Sequence, residues 1–184
     1  MNQYLSEVDY LEEFVPFDPN IHKNEFIRMN IEYMEWIFSQ LDENYQLDSL
    51  SKLGMTVPEI VNATIEPFLK LKPPEGIIYL LIVEGDVAGM GALEKLSDEV
   101  GEIKRMYSRP QYRGRGYGKI MLNRLLEVGR QFGCSSFRLD TPKWAHAAQH
   151  IYRSAGFKER EEYPESEIPP NLRSYWLFME KNNS

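Results

Sequence analysis

The stretch Arg113-Gly114-Arg115-Gly116-Tyr117-Gly118-Lys119 falls between a strand-like segment and an amphipathic helical one. Backbone N–H groups at such a junction, with the dipole of the helix that follows, make a cradle for phosphate oxygens. Glycines let a ligand approach the backbone closely. A Walker phosphate loop needs a glycine five residues before Gly118 and a Ser or Thr after Lys119, where this chain has Arg113 and Ile120. A dinucleotide-binding G-x-G-x-x-G also fails, because its third glycine would fall at Lys119 or at Met121. The turn is a phosphate nest of neither common nucleotide type.

Downstream, Gly116 to Phe132 places Met121, Leu122, Leu125 and Phe132 on one helical stripe, with Gly133 as terminator. The strand Ser136 to Thr141 follows, then a shorter helix ending at Ala155-Gly156. Strands Phe157 to Tyr163 and Arg173 to Lys181 flank the loop carrying Ile168-Pro169-Pro170. Upstream, Glu99 to about Ser108 reads as one strand. Gly76 to Glu84 and Val87 to Leu96 are two more, joined by a tight turn at Gly85-Asp86. Ahead of these, Pro73-Pro74 stops a helix opened by the capping-box pattern Thr56-Val57-Pro58-Glu59. A longer helix starts at Asp18-Pro19. Ile27, Ile31, Met34, Phe38 and Leu41 form one apolar stripe on it and Phe26, Met29, Tyr33 and Trp36 a second, so burial on two sides is expected. The pattern is a mixed α/β single domain whose amino-terminal third is a helical insertion ahead of the sheet.

The 184 residues fit one domain, and a domain of that size buries roughly 70% of its unfolded surface. Cys134 is the only cysteine, so no internal disulfide forms and a reducing cytoplasm is the expected setting. The longest apolar run, Ile77 to Val83, is far short of the roughly 20 residues of a membrane span, and the acidic amino terminus has no signal-peptide character. Net charge is −7, but the chain through Lys95 carries 6 basic and 17 acidic residues and the remainder 15 and 11. Lys104 to Lys119 holds six basic side chains and no acid, which suits a polyphosphate or nucleic-acid partner or else a solvated basic face. The acidic first half argues against nucleic acid.

The turn also matches R/Q-x-x-G-x-G/A at Arg113, Gly116 and Gly118, and its surroundings make the match specific. Glu102-Ile103-Lys104-Arg105-Met106-Tyr107 lies on the strand before it, and Leu139-Asp140-Thr141 and Ile151-Tyr152-Arg153-Ser154-Ala155-Gly156-Phe157 follow the helix after it. Over roughly Gly76 to Phe157 the chain resembles the GNAT superfamily of acetyl-coenzyme A-dependent N-acetyltransferases. The resemblance implies a central mixed, mostly antiparallel sheet flanked by helices, with the helical insertion before the second strand. It also implies a division of the single domain: an amino-terminal strand and acceptor-side helical segment (1–75), a coenzyme-binding core (76–157) and carboxy-terminal strands (158–184). In the family, free peptide groups of the strand before the turn pair with pantetheine, and the turn surrounds the pyrophosphate. Carried over, these are Met106, Tyr107 and Ser108, then Arg113, Gly114, Arg115, Gly116, Tyr117, Gly118 and Lys119, with Thr141 further on.

Acetyl transfer to an amine needs a neutral nucleophile, an oxyanion site and a proton for the departing thiolate. By the resemblance Tyr152 supplies that proton and Glu102, 11 residues before Arg113, is the candidate base. The coenzyme-contacting asparagine common seven residues before the tyrosine is Ala145 here, with His146 or Gln149 as substitutes. His146 and His150 stand four apart on a helix, a spacing that can share a metal, but no third ligand is evident and none is expected. The expected reaction is transfer to a primary amine, a small cationic acceptor being favoured by the acidic first half. A protein or peptide amine, or a non-catalytic coenzyme-binding module, stays open as the alternative, as does a homodimer.

Overall fold

The computed structural model describes residues 12–182; the acidic amino-terminal stretch read for targeting lies mostly outside them. Strand β1 (Glu12–Pro16) leads into a 27-residue helix α1 (Pro19–Tyr45). Asp18 caps α1, its Oδ1 accepting from the Asn20 amide at 2.8 Å. Phe26, Met29, Ile37, Phe38 and Leu41 are buried, while Ile27, Ile31, Tyr33, Met34 and Trp36 are half-buried around them. The two expected stripes thus merge into one broad face.

Helices α2 (Ser49–Leu53), α3 (Val57–Thr64) and α4 (Glu66–Lys70) complete the insertion. The capping box forms: the Glu59 amide donates to Thr56 Oγ1 at 3.4 Å and the Thr56 amide to Glu59 Oε2 at 2.8 Å. The helix expected to run from that cap to Lys72 is broken at Ile65 instead. Pro67 explains the break, because its ring cannot follow Ala63 in a continuous helix and it has no N–H to donate.

Strands β2 (Gly76–Val83), β3 (Asp86–Lys95) and β4 (Val100–Ser108) form a meander. The β2–β3 turn sits one residue earlier than expected, at Glu84 (φ 54) and Gly85 (φ 86). Positive φ at both central residues makes this a type I′ turn, which follows the twist of the strands, and Glu84 accepts it. Helix α5 (Tyr117–Gln131), β5 (Ser136–Pro142), α6 (His146–Ser154), β6 (Lys158–Arg160) and β7 (Trp176–Asn182) finish the chain. The last two strands are shorter than expected, residues Arg173–Tyr175 being a 3-10 turn.

The seven strands follow the order β1-β2-β3-β4-β5-β7-β6, all neighbours antiparallel except β4 and β5. One face of the sheet packs on α5 and α6 and the other on the insertion helices. Contact on the α5 face is close at Gly129, where a Cβ would lie 2.3 Å from Cε1 of the fully buried Phe137. Gly129→Ala is therefore expected to lower stability by about 1–3 kcal/mol, although alanine favours a helix by about 1 kcal/mol over glycine. Urea melting checks this, and an unchanged midpoint would show that the Phe137 ring yields.

Candidate active site

Strands β4 and β5 pair only from Val100 to Glu102 against Ser136 to Arg138. Beyond Glu102, β4 keeps its bonds to β3 and β5 its bonds to β7, but the two strands part, so a wedge opens and one edge of Ile103 to Ser108 has no strand beside it. The free edge includes Met106, Tyr107 and Ser108, the residues expected to meet pantetheine. A cavity of about 140 Å³ lies at the wedge, lined by Met106, Tyr107 and Ser108 of β4, Tyr117, Gly118 and Met121 of α5, and Ile151 and Tyr152 of α6. Six of the residues expected to meet the coenzyme or the thioester are thereby brought together.

The turn after β4 is shaped by two glycines, Gly114 (φ 78) and Gly116 (φ 86), in the left-handed region that side chains disfavour. A Cβ on either would meet nothing within 4 Å, so the turn presents bare backbone. Gly116 is the N-cap of α5 and supplies no capping side chain, which leaves the first helical N–H groups to a ligand or solvent. Arg113, Arg115 and Lys119 are exposed around it. Arg113 folds back: its Nε donates to the Ser108 carbonyl at 3.0 Å, and its guanidinium lies 5.1 Å from the Trp36 ring centroid. Arg115 lies over Tyr112 at 5.7 Å.

The other expected residues sit apart from the cavity lining. Gln149 is buried and donates from Nε2 to the carbonyls of Pro142 and Lys143, both at 2.9 Å, which ties the end of β5 to α6. Its amide protons are spent there and not on a ligand. Thr141 is buried within the β5–β7 ladder. His146 and His150 are exposed, and among the described residues no cluster of three His, Cys, Asp or Glu side chains could hold a metal.

Glu102 is 1% exposed at the closed end of the wedge. Tyr163 donates its hydroxyl to Oε1 at 2.7 Å and the Lys104 ammonium stands 3.1 Å from Oε2. Lys104 also reaches Glu167 at 2.7 Å and Glu94 at 2.9 Å. Burial pushes the Glu102 carboxyl up, with Lys104 opposing.

Three features of the site were not legible as such in the sequence. The first is a bulge: Met90 pairs with Tyr107 but Ala92 with Lys104, and the extra residue is accommodated by Arg105 at φ 54. Lys104 and Arg105 consequently both lie over the Phe68 ring, at 5.6 and 4.7 Å from its centroid. The second is Tyr33, read as core, whose ring lies 5.6 Å from that of Tyr107 and whose phenol is pushed up to about 12 by burial. The third is Asp140, whose Oδ2 accepts from Ser166 Oγ at 2.9 Å. Burial raises its carboxyl to about 6, the Ser166 hydrogen bond opposing. Tyr152 is pushed upward by burial first and then by Tyr33 and Asp140.

Comparison with known proteins agrees with this architecture. Residues 31–157 match the acetyltransferase (GNAT) family model. An uncharacterised N-acetyltransferase of Schizosaccharomyces pombe is 31% identical over 136 residues, covering 72% of this chain and 81% of that one. An uncharacterised N-acetyltransferase of Bacillus subtilis is 29% identical over 152 residues, covering 74% and 97%. The PaiA N-acetyltransferase of Thermoplasma acidophilum, solved in complex with coenzyme A, superposes with a TM-score of 0.65 over 94% of this chain and 99% of that one at 16% identity, a likeness of fold. The chain belongs to the GNAT family of acetyltransferases and is an acetyl-coenzyme A-dependent N-acyltransferase. Among the described residues no helix is long and apolar enough to cross a membrane.

Proposed function

We propose that the protein moves the acetyl group of acetyl-coenzyme A to the primary amine of a small cationic acceptor by direct attack, with Tyr152 as general acid. The observation that carries this reading is that Tyr152 lines the same cavity as the unpaired edge of β4 and the first turn of α5. A pantetheine arm laid along Met106 to Ser108 can take the place of a missing strand, its pyrophosphate falling at Arg113 to Lys119. On this assignment residues 76–157 are the coenzyme-binding core and the helices before them form the acceptor wall, with Tyr33, Phe68 and the bulged residues Lys104 and Arg105 beside it. Glu102, enclosed by Tyr163 and Lys104, reaches an acceptor only through water.

Charge favours a cationic acceptor. Glu94, Glu102, Asp140 and Glu167 gather around two cations, Lys104 and Arg105. The acids of α1 contribute less than composition implies, because Glu25 and Glu32 are held by Arg109 at 2.9 and 2.7 Å. Thiol release measured with acetyl-coenzyme A and a panel of amines is expected to favour diamines and lysine-like acceptors over acidic ones. Raising ionic strength about tenfold should lower kcat/KM for the preferred acceptor roughly 3- to 10-fold. A preferred anionic acceptor, or a salt-independent kcat/KM, contradicts the charge argument.

A further inference from the structure

Asp140 lies two residues beyond Arg138, the last β5 residue to pair with β4, and so stands on the open side of the wedge. Along β5, Phe137 and Leu139 share one face and are buried in the cluster beneath α5, while Arg138 and Asp140 share the other. Asp140 therefore turns to the opposite, insertion-helix face, the face that carries Tyr33, Tyr107 and Glu102. One carboxylate oxygen, Oδ2, is held by Ser166 Oγ at 2.9 Å. Burial raises the phenols of Tyr33 and Tyr152, and Asp140 adds to the effect at both, with Arg105 opposing it at Tyr33. It thus lies on the insertion-helix side of the wedge, from which an acceptor arrives in the reading above, whereas Glu102 is sealed behind Lys104 and Tyr163.

We propose that Asp140 is the catalytic base, taking a proton from the acceptor ammonium as the amine enters the wedge, with Ser166 as its positioning residue. The proposal rests on the acetyl-transfer reading above. In the step, an N–H bond of the ammonium breaks and an O–H bond forms on Asp140. The nitrogen keeps the electron pair and uses it to form the C–N bond at the thioester carbonyl. The C–S bond then breaks, its electron pair goes to sulfur, and sulfur takes the proton of the Tyr152 hydroxyl. The second proton on nitrogen replaces the one Tyr152 gave up, and Asp140 releases its proton to solvent.

A base with this role must be ionised to work, and an ordinary solvated aspartate is ionised from about pH 4 upward. Burial holds Asp140 at about 6, with Ser166 and Lys104 lowering it and Glu102 and Glu167 raising it. The neighbouring phenols are those of Tyr33, Tyr152 and Tyr163, and they stay protonated over that range. Activity toward ammonium acceptors should accordingly fall as pH drops through about 6. Ser166→Ala, which removes an interaction favouring the carboxylate, should move that acid limb to higher pH.

The deciding experiment compares two acceptors in the full-length protein, putrescine and hydroxylamine, by thiol release at neutral pH. Putrescine is an ammonium ion that must lose a proton; hydroxylamine is already neutral. Asp140→Asn is expected to lower kcat/KM for putrescine by roughly 10²-fold, the range of a positioned base, and to change hydroxylamine turnover by less than about 3-fold. Equal losses with both acceptors would make Asp140 a structural residue and overturn the proposal, as would no loss with either, or an acid limb that Ser166→Ala leaves in place. Glu102→Gln reproducing the selective loss, with Asp140→Asn silent, would move the role to Glu102. If the unaltered protein releases no thiol with these or any other amine of the panel above, the small cationic acceptor reading fails first, a result distinct from any of these.

Discussion

Gly116→Glu is expected to abolish coenzyme A binding while leaving the protein folded. Gly116 has φ 86 and caps α5 with no side chain, and a Cβ there would meet nothing within 4 Å. The fold can therefore accept the substitution at the cost of about 1–2 kcal/mol of left-handed backbone strain. Binding is affected differently. A carboxylate placed at the helix N-terminus satisfies the N–H groups that would otherwise hold phosphate, and its charge repels the pyrophosphate. The affinity for coenzyme A should fall by at least about 10²-fold, which is roughly 2.8 kcal/mol. Calorimetry measures it, and circular dichroism melting confirms the folded state. Unchanged affinity in a folded variant would remove the turn from the coenzyme site.

Tyr152→Phe is expected to lower kcat by roughly 10²-fold and to change coenzyme affinity by less than about 3-fold. The ring packs at 6.1 Å from Phe157 in the α5–α6 core, and phenylalanine preserves that contact. Only the hydroxyl is lost. Burial holds the Tyr152 phenol above the ordinary range near pH 10, with Tyr33 and Asp140 adding to the effect. An acid must be protonated to act, so in the unaltered protein Tyr152 should stay competent throughout the neutral range and beyond pH 10. Thiol release from pH 6 to about 10 should show no alkaline loss from this group. Normal kcat in the variant would reduce Tyr152 to a packing residue, and lost affinity with normal kcat would make it a binding residue.

The parts of the site that were legible in sequence are those set by local rules. Gly114 and Gly116 report a turn with positive φ, Thr56 and Glu59 a capping box, and the stripe Met121, Leu122 and Leu125 a helix that lies on the sheet. The parts that were not legible depend on partners far along the chain. Lys104 and Glu167 are 63 residues apart, and Tyr163 and Glu102 are 61 apart, yet these contacts close Glu102 off. Tyr33 sits in an apolar helical stripe and carries no local sign that its ring packs against Tyr107 of β4. Asp140 was visible in Leu139-Asp140-Thr141, but its face became clear only once β4 and β5 were seen to part after Glu102 and Arg138. The bulge at Arg105 has no glycine to announce it; a non-glycine residue takes positive φ there because the sheet holds it in place. The break between α3 and α4 was in principle readable from Pro67.

A structure of the protein with acetyl-coenzyme A bound would show where the coenzyme lies. The pantetheine arm is expected to lie in the wedge and pair with the β4 edge at Met106 to Ser108, with the pyrophosphate on the backbone of Arg113 to Lys119. The thioester sulfur should stand within hydrogen-bond reach of the Tyr152 hydroxyl. A coenzyme bound elsewhere, or one seated in the wedge with its sulfur directed away from Tyr152, would contradict this placement.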